Sequence, residues 1–422
     1  MFNNFKAFPT DVIPFAHKSN YNLQLALNIE WFSPFEHSYS VGCIYMSILN
    51  LPKKNGRDLK KNMILVGVIP GPSEPRTTAI NHYLRPLVNE LLVLMRGVDM
   101  PVTLLNGKVV YNKVRAAISL ISCDLPATKK LIGSLSYNGH RACHMCDLVF
   151  SSLPGGVSRH NYCNWNCDSW PKKDSNATRQ ASEDWRRAPT GTRRKEVERA
   201  TGSRYSILNE LPYFSYDLVA LEPMHCLYLG IAKRCISAMI PLTSYEVIQQ
   251  KMKKMVYSPN HSCGPLSNKI GENGFHNVKA VEFKDFVVGV ASLVLKGVIQ
   301  DDEYAVVMNL IKAFRILEGD SIAISDIEVV HNYLLAFAVG YERLYSKDEV
   351  TPNFHFMLHL RESMQKWGPV SCFWGFNFER NNMFVKRIRT NHRQGLEKTY
   401  MNKMQSIIFS EDFDFLTHNS SN

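Results

Sequence analysis

Apolar positions recur along this chain with two periods: near two residues in the first third, and three to four residues further on. Residues 21–29 (YNLQLALNI) nearly alternate and predict a strand. Residues 40–49 and 62–69 are two further β-rich runs. Pro52, Asn55 and Gly56 lie between them, which predicts a hairpin. Pro70-Gly71-Pro72 closes that unit. In residues 79–95, Leu84, Leu87, Val88, Leu91, Leu92 and Met95 fall at i, i+3, i+4 spacing, the stripe of an amphipathic helix. Residues 114–121 predict another apolar strand, ending at Cys123-Asp124. The order strand, strand, strand, helix, strand predicts an α/β fold with Glu30 just after the first strand and Asp124 at the end of the fourth. Acids at strand ends in an open sheet are exposed to solvent and to each other.

Residues 151–204 read as irregular, being rich in Pro, Gly, Ser and Asn. Helical spacing returns at 286–295, 304–317 and 329–345, and no period of 20–50 residues repeats. The middle therefore reads as a helical insertion. Three segments are expected: a first core part at 20–150, a basic loop with helical insertion at 151–350, and at 351–405 a C-terminal core helix with a last acid and a basic tail.

The 422 residues are 45% hydrophobic and 21% charged, which excludes disorder, collagen and coiled coil for the whole. The longest apolar run, 286–295, stops at Lys296, about half of the roughly 18 residues a membrane span needs. Net charge is +11. All of it traces to two places: residues 171–204 carry ten basic and five acidic side chains, and 380–403 carry seven and one. Such clusters are either solvated faces or contacts for a polyanion such as nucleic acid. Ten cysteines are too few for a disulfide scaffold, and residues 1–15 lack a signal-peptide pattern, so a reduced intracellular protein is expected.

Cys143-His144-Met145-Cys146 is a CxxC, and His355 and His359 stand four apart on a helical segment, hence on one face. Two Cys and two His make a tetrahedral zinc set. The alternatives are a redox CxxC and a histidine pair facing core or solvent. The zinc-protease pattern is excluded, because Phe356 stands where the general-base Glu belongs. Cys163 and Cys167, with His160 nearby, form a weaker second group. Among the acids, Glu30, Asp124 and Glu379 would hold two divalent ions if they converged, as in phosphodiester transfer. Carboxylate oxygens suit Mg²⁺ or Mn²⁺. Most acids in any chain are simply surface groups.

Asn28-Ile29-Glu30-Trp31-Phe32-Ser33-Pro34-Phe35, Tyr39-Ser40-Val41 and Ile48-Leu49-Asn50-Leu51-Pro52 resemble the first catalytic block of the CACTA-type (Tnp2) DNA transposases. Cys123-Asp124-Leu125-Pro126-Ala127 resembles the second block, and residues 139–146 the CxxC after it. Leu211-Pro212-Tyr213-Phe214, Glu222-Pro223-Met224-His225 and Leu229-Gly230 resemble a block within the insertion. His359-Leu360, Trp367-Gly368-Pro369 and Phe378-Glu379 resemble the last block. The blocks run in family order over residues 21–400.

The resemblance implies an RNase H-like mixed sheet interrupted by a helical insertion, cut-and-paste transposition, and a nuclear protein that assembles as a homo-oligomer on transposon-end DNA. It places the acidic triad on Glu30, Asp124 and Glu379, with Mg²⁺ or Mn²⁺ as catalytic ions. It places a structural Zn²⁺ on Cys143, Cys146, His355 and His359, pinning insertion to core. Arg380, Lys386, Arg387, Arg389 and Arg393 follow Glu379 and, on a helix, would line the DNA backbone. Two positions depart from the family pattern: Glu30 and Glu222 each replace an Asp. The family's N-terminal DNA-binding region is expected to be missing. The alternative reading is a catalytically dead or domesticated transposase-derived DNA-binding protein. His225 is expected to be a hydrogen-bonded histidine, and at least two of Trp31, Trp367 and Trp374 to be core residues.

Overall fold

The structure is a computed structural model that describes residues 14–35, 39–53, 56, 62–104, 106–137, 139–155, 159–258, 263–271, 274–390 and 395–419. Asn55, Arg393 and most of the N-terminal stretch lie outside the described residues.

Near-alternating apolar residues build β1 (Asn22–Phe32), which pairs antiparallel with β2 (Val41–Ile48), and β2 pairs antiparallel with β3 (Met63–Ile69). The predicted hairpin is thus present. After α1 (Ile80–Arg96) come β4 (Val98–Thr103) and β5 (Val109–Ile121). β5 lies parallel beside β1, and β4 pairs antiparallel with β5 outside it. The mixed five-stranded sheet has the order β3-β2-β1-β5-β4. Two points correct the sequence reading. β1 runs on to Phe32, so Glu30 lies inside the strand, opposite Cys43, rather than after it. β4 is an added strand, and most of its side chains are exposed, so no apolar period marked it.

The helices that follow are α2 (Leu125–Ile132), α3 (Ser175–Arg187), α4 (Gly191–Thr201), α5 (Asp301–Leu317), α6 (Ile324–Tyr345), α7 (Pro352–Leu358), α8 (Leu360–Trp367), α9 (Phe376–Lys386) and α10 (Leu396–Asn419). Shorter helical pieces, Met224–Lys233, Arg234–Met239 and Tyr245–Lys253 among them, lie between α4 and α5.

The chain folds into two units that run across the expected segments. One comprises residues 1–136, 173–220 and 375–422, and holds the sheet; the other comprises 137–172 and 221–374, and is mainly helical. The stretch expected to be irregular is therefore partly helical. Asp174 Oδ1 accepts from the backbone N–H of Asn176 and Ala177 and so caps α3; Thr190 Oγ1 accepts from Arg193 N–H and caps α4. Few apolar residues are needed, because α3 buries only Thr178, Ala181 and Ser182, and α4 only Val197.

Each face of the sheet carries its own core. On one face Leu25, Leu27 and Ile29 of β1 and Ile44 and Met46 of β2 meet α1. α1 buries Ile80, Leu84, Val88 and Leu91, one stripe at helical spacing. Each such side chain contributes about 1.5–3 kcal/mol, and Leu84→Ala would cost about 2–5 kcal/mol. On the other face Val41, Cys43 and Tyr45 of β2 pack against Phe378 and Val385 of α9 and Leu396, Tyr400 and Met404 of α10. At the end of α2, Gly133 adopts φ +68, and a Cβ there would meet the Arg204 carbonyl oxygen at 2.4 Å, so glycine is required on two counts.

Candidate functional sites

In the helical unit, Pro352 opens α7 and His355 lies within it, while His359 caps its end. The i, i+4 spacing brings both imidazoles to one side, where the loop carrying Cys143 and Cys146 meets them. The four donor atoms lie within 4.8 Å of one another, and all four residues are buried. Cys143 Sγ is 3.4 Å from His359 Nε2, Cys146 Sγ is 3.5 Å from His355 Nε2, and the two Nε2 atoms are 3.2 Å apart. Four donors around one tetrahedral ion, at bond lengths of about 2.3 Å to sulfur and about 2.0 Å to nitrogen, have S···N near ~3.6 Å and N···N near ~3.3 Å. The donor set and its spacing fit such an ion.

The surroundings support this arrangement. Backbone N–H groups of Met145 and Cys146 donate to Cys143 Sγ, each at 3.3 Å. Trp170 covers the imidazoles, its ring 4.2 Å from His355 and 4.9 Å from His359, and Phe150 meets His355 edge-on. Glu362 Oε1 stands 3.7 Å from His359 Nδ1, the outer partner that orients a ligand histidine. Burial opposes charge here. Even so, Cys146 and the imidazoles of His359 and His355 hold the Cys143 thiol well below its ordinary range, and Cys143 with Glu362 raises His359 to about 9. All four ligands belong to the helical unit, so this clasp closes within that unit and does not bridge insertion and sheet core as expected.

Glu30, Asp124 and Glu379 all belong to the sheet unit. In the parallel β1/β5 register Leu27 pairs with Ile121, so Glu30 and Asp124 each stand three residues beyond a matched pair, at the same end of neighbouring strands. The match continues past the ladder: Asn28 Nδ2 donates to the Ser122 carbonyl at 2.6 Å, and Ile29 N–H to Cys123 Sγ at 3.2 Å. Glu30 is buried and pairs with Cys43, which puts its side chain on the face covered by α9. Beside it, burial pushes the Cys43 thiol up to about 12, so that neighbour is neutral. Glu379 lies in the first turn of α9, which packs on β1. Its neighbour Phe378 meets the Tyr45 ring at 6.2 Å. Asp124 also acts locally, since its Oδ1 accepts from Ala127 N–H at 2.7 Å and caps α2. Among the described residues, the three carboxylates do not close to the range of the Cys/His set.

Arg380, Lys386, Arg387 and Arg389 are exposed, on or just beyond α9. His225 Nδ1 is 2.9 Å from Glu222 Oε2, and the Glu222 carboxylate also accepts the Met224 and His225 backbone N–H groups at 2.8 Å each. That explains the acid before Pro223: it caps the start of the next helix. Trp367 is core, packed on Phe373. Cys163 and Cys167 are half-buried thiols outside any metal-type cluster among the described residues. Sequence reasoning missed Trp170, whose cover of the histidines follows from long-range contact alone.

Residues 3–166 match the family model described as transposase family tnp2. The chain carries a Tnp2-type transposase region. The match takes in β1–β5, α2, Glu30, Asp124 and the Cys143/Cys146 pair, and ends before His355, His359 and Glu379. No curated protein matches the chain. A transposase acts on DNA, so the Tnp2-type match implies DNA as a partner. No single helix among the described residues is long and apolar enough to cross a membrane.

Proposed function

We propose that the sheet unit is the strand-cleaving and strand-transferring core of a CACTA/Tnp2-type cut-and-paste element, with an RNase H-like fold. The observation that carries this reading is the placement of Glu30 and Asp124 at one end of adjacent parallel strands, with the Glu379 helix packed on the same strand. Three antiparallel strands, β1 to β3, with β5 parallel to β1 and beside it, support an RNase H-like core to which β4 is an added edge strand. Val219 adds a parallel bridge to Ile121, where a following strand of that fold would lie.

Glu30, Asp124 and Glu379 would hold Mg²⁺ or Mn²⁺. Two such ions supply a polarised water or 3′-hydroxyl and offset charge on the leaving oxygen. The chain's own part is positional. β1 and β5 fix two carboxylates by main-chain register, and α9 presents the third. Arg380, Lys386, Arg387 and Arg389 would hold phosphates beside them without reading sequence. Cys143, Cys146, His355 and His359 would hold a structural Zn²⁺, four protein ligands leaving no open position for chemistry. Such a protein would work in the nucleus, with two copies holding two element ends. Glu30 in place of Asp favours a second reading, a DNA-binding protein of the same fold that no longer cuts.

Asp124→Asn is the informative variant, because Asn preserves the helix cap while removing the charge. Nicking of element-end DNA in Mg²⁺ or Mn²⁺ should fall by at least about 100-fold in Asp124→Asn and in Glu379→Gln, with DNA binding retained. Nicking that survives both variants excludes the triad; DNA binding with no nicking in any form supports the second reading.

A further inference from the structure

We infer that the α3–α4 hairpin is a second DNA-holding surface, separate from the one beside Glu379, that grips the phosphate backbone of a duplex. The inference rests on the transposase reading for the choice of DNA as the polyanion. Over residues 186–199 the hairpin carries six basic side chains against two acidic ones. Arg186, Arg187, Arg193, Arg194, Lys195 and Arg199 are all exposed. Only part of that charge is met locally. Arg186 pairs with Glu183 and Arg193 with Glu196, one helical turn away in each case, while Arg187, Lys195 and Arg199 make no ion pair among the described residues. Lys195 and Arg199 stand four apart and share a face of α4, about 6 Å from each other along the axis.

The other side of α4 explains why this face points outward. Val197, opposite Lys195 and Arg199, is buried, while Glu198 at the edge of their face accepts from Trp185 Nε1 at 2.9 Å and pairs with Arg204 at 3.0 Å. Arg194 lies over the Trp185 ring and Arg186 over the Tyr205 ring, at 4.9 and 5.1 Å. Ser182 Oγ donates to the Arg204 carbonyl at 3.0 Å, and Arg179 donates to the carbonyls of Asn209 and Phe214. The hairpin is thus fixed to the segment that packs in the α1-side core. The basic residues of α9 belong to the opposite face of the same sheet. Held rigidly, the hairpin backbone loses little entropy on binding, and its affinity comes from counterion release.

The test uses the full chain and a fluorescent 30-base-pair duplex of arbitrary sequence, read by anisotropy over a salt series. The triple variant Arg187→Gln, Lys195→Gln, Arg199→Gln should bind about tenfold or more weakly. Its slope of log affinity against log salt should shrink by about 2–3, with the melting temperature unchanged. Glu196→Lys, which adds charge to an exposed position, should tighten binding and steepen that slope by about 1. A native chain that binds the duplex while both variants match it overturns the hairpin and spares the transposase reading. A native chain that binds no duplex overturns both. Tighter binding of a duplex RNA of equal length overturns the choice of DNA.

Discussion

Tyr45 Oη donates a 2.9 Å hydrogen bond to Asn382 Oδ1, and both residues are buried. Tyr45 lies on β2, opposite Asn28, while Asn382 lies on α9 three residues after Glu379. The bond therefore ties α9 to β2, the neighbour of the strand that carries Glu30. Tyr45→Phe keeps the ring contact with Phe378 but leaves a buried acceptor unmet, a cost of about 1–3 kcal/mol. The expected result is a melting temperature lower by several degrees and a fall in metal-dependent nicking, with DNA binding unchanged. A variant that nicks at the native rate shows that this bond does not position Glu379.

Under the proposed two-metal reading, Glu30 is longer by one methylene than the Asp the resemblance expects, which would move its carboxylate by about 1 Å where Mg²⁺ wants near-octahedral ligands. Glu30→Asp should raise nicking in Mg²⁺ if that ligand alone limits the chain. Mn²⁺, the more tolerant ion, should narrow the gap between the two forms. Equal silence of both forms in both ions points to a protein that only binds DNA.

Chelation of the purified chain should lower its melting temperature by roughly 10 °C, because a bound structural metal is folding free energy. Native mass spectrometry should show one zinc per chain, lost in Cys143→Ser and in His359→Ala. A chain that melts at the same temperature with and without chelator has no such clasp.

Burial alone would raise the Glu222 carboxyl, but the His225 imidazole and the His225 and Met224 backbone N–H groups outweigh it and hold it below its ordinary 4.5. A group whose folded value lies below its unfolded one adds stability above the unfolded value, and loses it as pH falls through the folded one. The helical unit should therefore weaken below about pH 4.5. Glu222→Gln should melt lower than the native chain at pH 7, and the difference should shrink towards pH 3. A difference that stays constant over this range removes Glu222 as the source.

Much of this architecture was legible where packing imposes a period. β1, β2, β3, α1 and β5 bury long apolar stripes, and their pattern survives in sequence. β4 was not legible, because an edge strand that leaves Asp99, Met100 and Pro101 exposed has no stripe to show. α3 and α4 were misread for the same reason; the readable signals were the caps, Asp174 and Thr190, rather than the interiors. Glu30 was misplaced by two residues of strand because Trp31 and Phe32 extend the ladder opposite Gly42 and Val41. The Cys/His set was legible through its chemistry, since a CxxC and an i, i+4 histidine pair fix side-chain directions locally. That its two halves fall in one unit was not legible, because it depends on how the chain returns after more than 200 residues.

That return has a consequence for synthesis. Cys146 leaves the ribosome 209 residues ahead of its partner His355. At about 5–20 residues per second, the two thiols wait roughly 10–40 s for their imidazoles. During that interval the nascent chain holds only half a clasp, open to oxidants and to any passing soft metal, and the helical unit cannot close before His359 is made.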